Sequence, residues 1–78
     1  MEISIKLYAN LSQYTPDDSN CYHVTAHSNI NDVLDRLGVP EEWRRMLLVF
    51  VNNAIAQNLS RELEHGDEMK VFLALGGG

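Results

Sequence analysis

The sequence predicts an α+β fold: a mixed sheet of about five strands packed on one main helix, plus a short helix. Three observations predict it. Both ends of the chain alternate apolar and polar residues with the period of a strand. One central stretch, SNINDVLDRLGVP, carries a helical stripe. Clusters of turn-forming residues separate the shorter apolar runs between them.

At the start, Met1, Ile3, Ile5 and Leu7 alternate with Glu2, Ser4 and Lys6, so one face of the first strand is apolar and the other polar. Residues 9–14 are less periodic and lead into TPDDSN, a run of turn formers at residues 15–20. A second strand over residues 21–26 would turn Tyr22, Val24 and Ala26 inward and Cys21, His23 and Thr25 outward, completing a hairpin. In the helix, Ile30, Val33, Leu34 and Leu37 fall at i, i+3, i+4 and i+7. Ser28 or Asn29 can cap its free amides, Asp32 suits the positive end of its dipole, and Gly38 with Pro40 stops it. Pro40 can open a short second helix on which Trp43, Met46 and Leu47 share a face.

Residues 48–51 read as a short strand buried on both sides. Asn52 and Asn53 tolerate the positive φ needed to turn back into a strand over residues 54–56. Residues 60–68 form a polar connector with Leu63 as its anchor and Gly66-Asp67 as its turn. In the last strand Met69, Val71, Leu73 and Leu75 alternate with Lys70, Phe72 and Ala74. One useful helix can cover only one face of the sheet. Neither terminal strand carries the proline or dense charge that blunts an exposed edge, so both belong in the middle, paired parallel. That arrangement is a β-grasp, the ubiquitin-like fold. Residues 1–75 make up the domain and residues 76–78 a flexible glycine tail.

Composition narrows the function. With 45% apolar and 22% charged residues, the chain can build a core and is not disordered. A net charge of −5 with scattered Lys and Arg argues against nucleic acid, whose binding needs clustered cations, but suits docking onto a basic protein. The longest unbroken apolar run, residues 46–51, is too short to span a bilayer, so no membrane partner is expected. Cys21 is the single cysteine, and no apolar leader block opens the chain, so the expected location is the cytoplasm.

Internal chemistry is sparse. Cys21 and His23 form only a C-x-H pair, a weak signal for a nucleophile. His23 and His27 lie on a strand and its exit and share no helical face, so with His65 they read as solvated, not as a metal site. The acidic pairs Asp17-Asp18, Glu41-Glu42 and Asp67-Glu68 sit at turns and helix starts, where structure accounts for them. No glycine stands between a strand and a helix to cradle phosphate.

The end of the chain is different. Of five glycines, three are Gly76, Gly77 and Gly78, directly after the last strand. Without β-carbons such a thread can enter a narrow channel and present its carboxylate. A glycine end alone is common in disordered termini; here it closes a chain whose strand order is already ubiquitin-like. Phe72 falls on the strand face opposite Met69, Val71 and Leu73 and reads as an exposed aromatic. With Leu75 at the base of the tail, it is the candidate docking contact.

The opening IKLYANL, the SNINDVLDRL helix, the VFVNNAIA hairpin, HGDEMKVF and the terminal Gly77-Gly78 together resemble the MoaD/ThiS sulfur carriers over nearly the whole chain. The resemblance implies a non-enzymatic co-substrate. Its Gly78 carboxylate would be adenylated by a ubiquitin-activating-like partner using ATP and magnesium, with no cofactor bound by the carrier itself. Sulfur from a persulfide would then replace AMP to give a thiocarboxylate, and residues 76–78 would insert into a synthase subunit that accepts the sulfur. LAL at residues 73–75, where many molybdopterin-type members have proline, and the third glycine, Gly76, depart from the family pattern. The segment around Trp43 makes the chain longer than typical thiamine carriers and points to the molybdopterin type. The alternatives are a thiamine-type or other thiocarboxylate carrier, a ubiquitin-like modifier that forms isopeptides through Gly78, and a β-grasp interaction module with an inert tail.

Overall fold

The computed structural model describes residues 1–74. Five strands form one sheet in the order β2-β1-β5-β3-β4. They are β1 (Glu2–Leu7), β2 (Tyr22–His23), β3 (Leu47–Val51), β4 (Ala54–Ile55) and β5 (Glu68–Leu73), with helix α1 (Ile30–Leu37) between β2 and β3. β1 and β5 lie side by side and parallel at the centre, Ile5 beside Met69 and Leu7 beside Val71. Every other pairing is antiparallel. The two strands with the clearest alternation thus both have neighbours on either side, as expected.

Alternation decides the core. Ile3, Ile5 and Leu7 of β1, Val49 and Val51 of β3, and Met69 and Val71 of β5 are buried on one face, where Ile30, Val33 and Leu34 of α1 cover them. The helix begins on a capping box. The Asn29 side chain accepts the Asp32 N–H at 2.8 Å, and the Asp32 carboxylate accepts the Asn29 N–H at 2.9 Å. It ends at Gly38, whose φ of 85° lies in the left-handed region that side chains avoid.

Four local expectations are corrected. Residues 9–14, expected to be irregular, form a 3₁₀ segment (Ala9–Tyr14) that drives Leu11 fully into the core. The second strand is shorter than residues 21–26. After Val24 the chain turns, with Ser28 N–H bonded to Thr25 O and His27 at φ 69°, and Ala26 stays exposed. The short helix after Pro40 is also 3₁₀ (Glu41–Met46). Its Trp43 packs on the core and edge-on to Tyr14, but Met46 is exposed. Finally, β3 is not buried on both sides. Val49 and Val51 are inside, whereas Leu48 is exposed and Phe50 half-buried, because among the described residues no second layer covers the outer face of the sheet.

The remaining turns follow the reading. Asn52 and Asn53 both take positive φ, 53° and 68°, and join β3 to β4. Leu63 is buried under the polar connector, and Gly66 turns at φ 88°. Asp67, 5% exposed, joins these two turns. Its carboxylate accepts Asn52 Nδ2 at 2.9 Å and the Glu64 N–H at 2.8 Å, while the Glu68 N–H donates to Asn52 Oδ1 at 2.9 Å. The VN turn and the GDE segment, distant in sequence, are therefore one hydrogen-bonded unit that starts β5 in register.

Candidate functional site

The outer face of the sheet is where side chains stand free of the core. In β5 the alternation that buries Met69 and Val71 turns Lys70 and Phe72 outward. Phe72 pairs across the strands with Leu48, Phe50 with Lys70, and Ile55 with Phe50, so these side chains share that face. Tyr8, just past β1, stacks on Phe72 with ring centroids 4.4 Å apart and planes 6° off parallel. Phe50 meets Phe72 edge-on at 5.8 Å. A shallow apolar hollow opens between Phe50, Asn53, Lys70 and Phe72. Leu48 and Ile55 are 39% and 51% exposed. Lysines border the patch, Lys6 Nζ lying 5.4 Å from the Tyr8 ring centre and Lys70 Nζ 3.7 Å from a Glu68 carboxylate oxygen.

Phe72 is accordingly half-buried between Tyr8 and Phe50, not the lone exposed aromatic expected. Stacking on Tyr8 and the edge contact with Phe50 hold the ring at the centre of the patch. The sequence reading missed Tyr8, Leu48, Phe50 and Ile55. The available signal was the alternation within LLVFV: a single helix covers one face, so Leu48 and Phe50 had to lie on the other.

This patch surrounds the strand that leads to the tail. β5 is the central strand, clamped by β1 and β3, and beyond it the Ala74 N–H donates to Met46 O at 2.6 Å. The chain is therefore fixed up to Ala74 by the body of the fold. Leu75, Gly76, Gly77 and Gly78, named above as docking and tail residues, lie outside the described residues.

The histidines are exposed, as expected, yet each has a partner. His23 Nε2 is 3.4 Å from Glu2 Oε2, His27 Nδ1 is 3.1 Å from Glu62 Oε1, and the Glu2 backbone N–H donates to His65 Nδ1 at 3.1 Å. The hydrogen bond to the Glu2 carboxylate, then partial burial, then the Glu2 and Asp18 charges push the Cys21 thiol up. That opposes the thiolate an activated nucleophile needs. Among the described residues no helix is long and apolar enough to cross a membrane.

Parallel terminal strands at the centre of a five-stranded mixed sheet, crossed on one face by a single helix among the described residues, define a ubiquitin-like β-grasp protein. The ThiS family model matches residues 5–78, and the chain belongs to that family. Its members are small carrier subunits, which makes this protein a ubiquitin-like sulfur carrier or modifier in class. Sequence comparison finds no match among curated proteins. Solved structures share the fold at low identity. SAMP1 from Haloferax volcanii is 23% identical, with all of both chains covered and a TM-score of 0.70. A putative molybdopterin converting factor subunit 1 from Pyrococcus furiosus is 16% identical, with 96% of this chain and 99% of that one covered and a TM-score of 0.71. A chain in the complex of subunits 1 and 2 of the molybdopterin-converting factor from Helicobacter pylori is 17% identical, with full coverage of both and a TM-score of 0.59.

Proposed function

We propose that this protein carries sulfur as a thiocarboxylate on Gly78 and donates it in molybdopterin biosynthesis. The observation that carries the reading is the reach of the family match. It runs through residue 78, so the glycine tail is part of the family pattern, and it follows a central strand held on both sides. In the proposed cycle a ubiquitin-activating-like enzyme joins the Gly78 carboxylate to AMP, using ATP and magnesium and releasing pyrophosphate. The terminal sulfur of a partner's persulfide then attacks the adenylated carboxyl and displaces AMP. A second thiol of the partner cleaves the resulting acyl disulfide, leaving the thiocarboxylate on Gly78 and a disulfide on the partner. The carrier brings no cofactor to this transfer. Its outer face docks, with Phe72 at the centre and Leu75 at the base of the tail, and residues 76–78 reach the partner's active site. The sulfur acceptor is a synthase subunit, and all of this takes place in the cytoplasm. Two of the similar structures are described as molybdopterin converting factor subunit 1 or a complex containing it, which supports that pathway over the thiamine one.

The test is the intact mass of the full chain after incubation with the host's activating enzyme, ATP and a sulfur source. A gain matching exchange of one oxygen for sulfur, mapped to Gly78, is expected. Removing Gly77-Gly78 should abolish that gain and leave the melting temperature unchanged. A chain that stays unshifted would instead be an interaction module with an inert tail. Adducts on partner lysines that survive reduction would make it a modifier.

A further inference from the structure

At the pole of the sheet opposite the exit of β5, strand pairing creates a constellation that no sequence spacing displays. Glu2 of β1 is the register partner of His23 in β2. Cys21 lies two residues before His23, in the bend just ahead of β2. One ligand atom from each of Glu2, Cys21 and His23 lies within 4.8 Å of the other two. The His23 side chain is 74% exposed and that of Glu2 43%, so the group opens to solvent.

We propose that Glu2, Cys21 and His23 form an open binding site for a thiophilic divalent cation of the zinc type. Tetrahedral zinc with ordinary bond lengths needs its nitrogen and oxygen ligands about 3.3 Å apart and its sulfur and nitrogen about 3.6 Å apart. His23 Nε2 and Glu2 Oε2 already stand at 3.4 Å. Magnesium and calcium take oxygen ligands, whereas a thiolate with an imidazole and a carboxylate selects a softer ion. Three protein ligands leave the fourth position for water or an external ligand, the arrangement of exchangeable rather than closed structural sites.

The metal-free contacts position the donors. The Cys21 sulfur lies within 4.8 Å of a Glu2 carboxylate oxygen, and that carboxylate faces the His23 ring at 3.4 Å. The Glu2 backbone N–H is held by His65 Nδ1, which fixes the start of the strand that carries the carboxylate. On binding, the thiol loses its proton to solvent and sulfur bonds to the cation. The neutral imidazole and the carboxylate add their lone pairs, and no electron changes hands. The site does not rest on the sulfur-carrier reading. Because β1 and β5 run parallel with Leu7 beside Val71, Glu2 sits roughly 17 Å along the strand from that level, at about 3.3 Å per residue.

The experiment titrates the full chain, stripped by a chelator, with cobalt(II) and then with competing zinc(II). A thiolate-to-cobalt charge-transfer band should saturate at one metal per chain and bleach as zinc enters. Cys21→Ser should remove the band. Glu2→Gln, which keeps the side-chain shape, and His23→Gln should each weaken cobalt binding by roughly tenfold or more, since even outer-shell partners are worth that much. His27→Gln and removal of the glycine tail should change nothing, and circular dichroism should show every variant folded. The proposal is overturned if no band forms, if the band persists undiminished in Glu2→Gln or His23→Gln (a lone thiol), or if it saturates at one metal per two chains (a bridge between copies).

Discussion

Asp67 is the residue on which the most local structure depends. It is buried, and its two oxygens serve the Asn52 side chain and the Glu64 N–H, so one carboxylate closes two turns. Replacing it by alanine leaves both donors short of a partner in a site where water has little access. The expected cost is about 1–3 kcal/mol, read as a lower urea midpoint. Asp67→Asn retains one acceptor oxygen and should cost less. Equal losses for the two would show that the hydrogen bonds are not what matters. In sequence Asp67-Glu68 looks like any acidic pair at a turn, because Asn52 stands far from it along the chain. Phe72 teaches the same lesson. Its outward face follows from alternation, but its stack on Tyr8 comes from a strand pairing that local pattern does not fix.

Among the elements, α1 was the most legible, since its stripe, its cap and its stop all lie within one short segment. The cap and the stop each carry measurable weight. Asn29→Ala removes the acceptor for the Asp32 N–H and should cost about 1 kcal/mol. At Gly38 an added β-carbon meets nothing within 4 Å, so Gly38→Ala isolates the left-handed φ, at about 1–2 kcal/mol. Thermal melts of the two variants check both figures, and an unaffected Gly38→Ala would show that the backbone relaxes out of that conformation. The 3₁₀ segment after Pro40 stands where a short helix was expected, but the one over Ala9–Tyr14 was not legible. Leu11 is the one fully buried side chain of its segment, and one apolar anchor sets no period. β2 was overextended because the alternation of Tyr22, Val24 and Ala26 continues past the point where the chain turns away.

For the whole molecule, the two faces of the sheet divide core packing from the surface that the proposed function uses for docking. The inner face packs Met69 and Val71 against the helix, and among the described residues the outer face leaves Phe72, Phe50 and Leu48 with no layer above them. Two substitutions in the same strand should therefore separate. Met69→Ala empties part of the core and should cost about 2–5 kcal/mol. Phe72→Asp should leave the chain folded but abolish sulfur loading by the activating enzyme, measured by the same intact-mass assay. If Phe72→Asp loads at the parental rate, the outer face is not where that enzyme docks.

By itself the sequence determined the local code: period-two runs at both ends, a capped amphipathic helix, asparagines fit for positive φ, and a glycine tail. These are readable because each depends on residues only a few positions apart. Only the tertiary structure decided what long-range pairing creates. It joined Asn52 to Asp67, placed Tyr8 against Phe72, turned Leu48 and Phe50 to the outer face, and set Glu2 beside Cys21 and His23. The physical reason is common to all four. A strand satisfies its backbone with partners remote in sequence, so its pattern tells which way side chains point but not which side chains they meet.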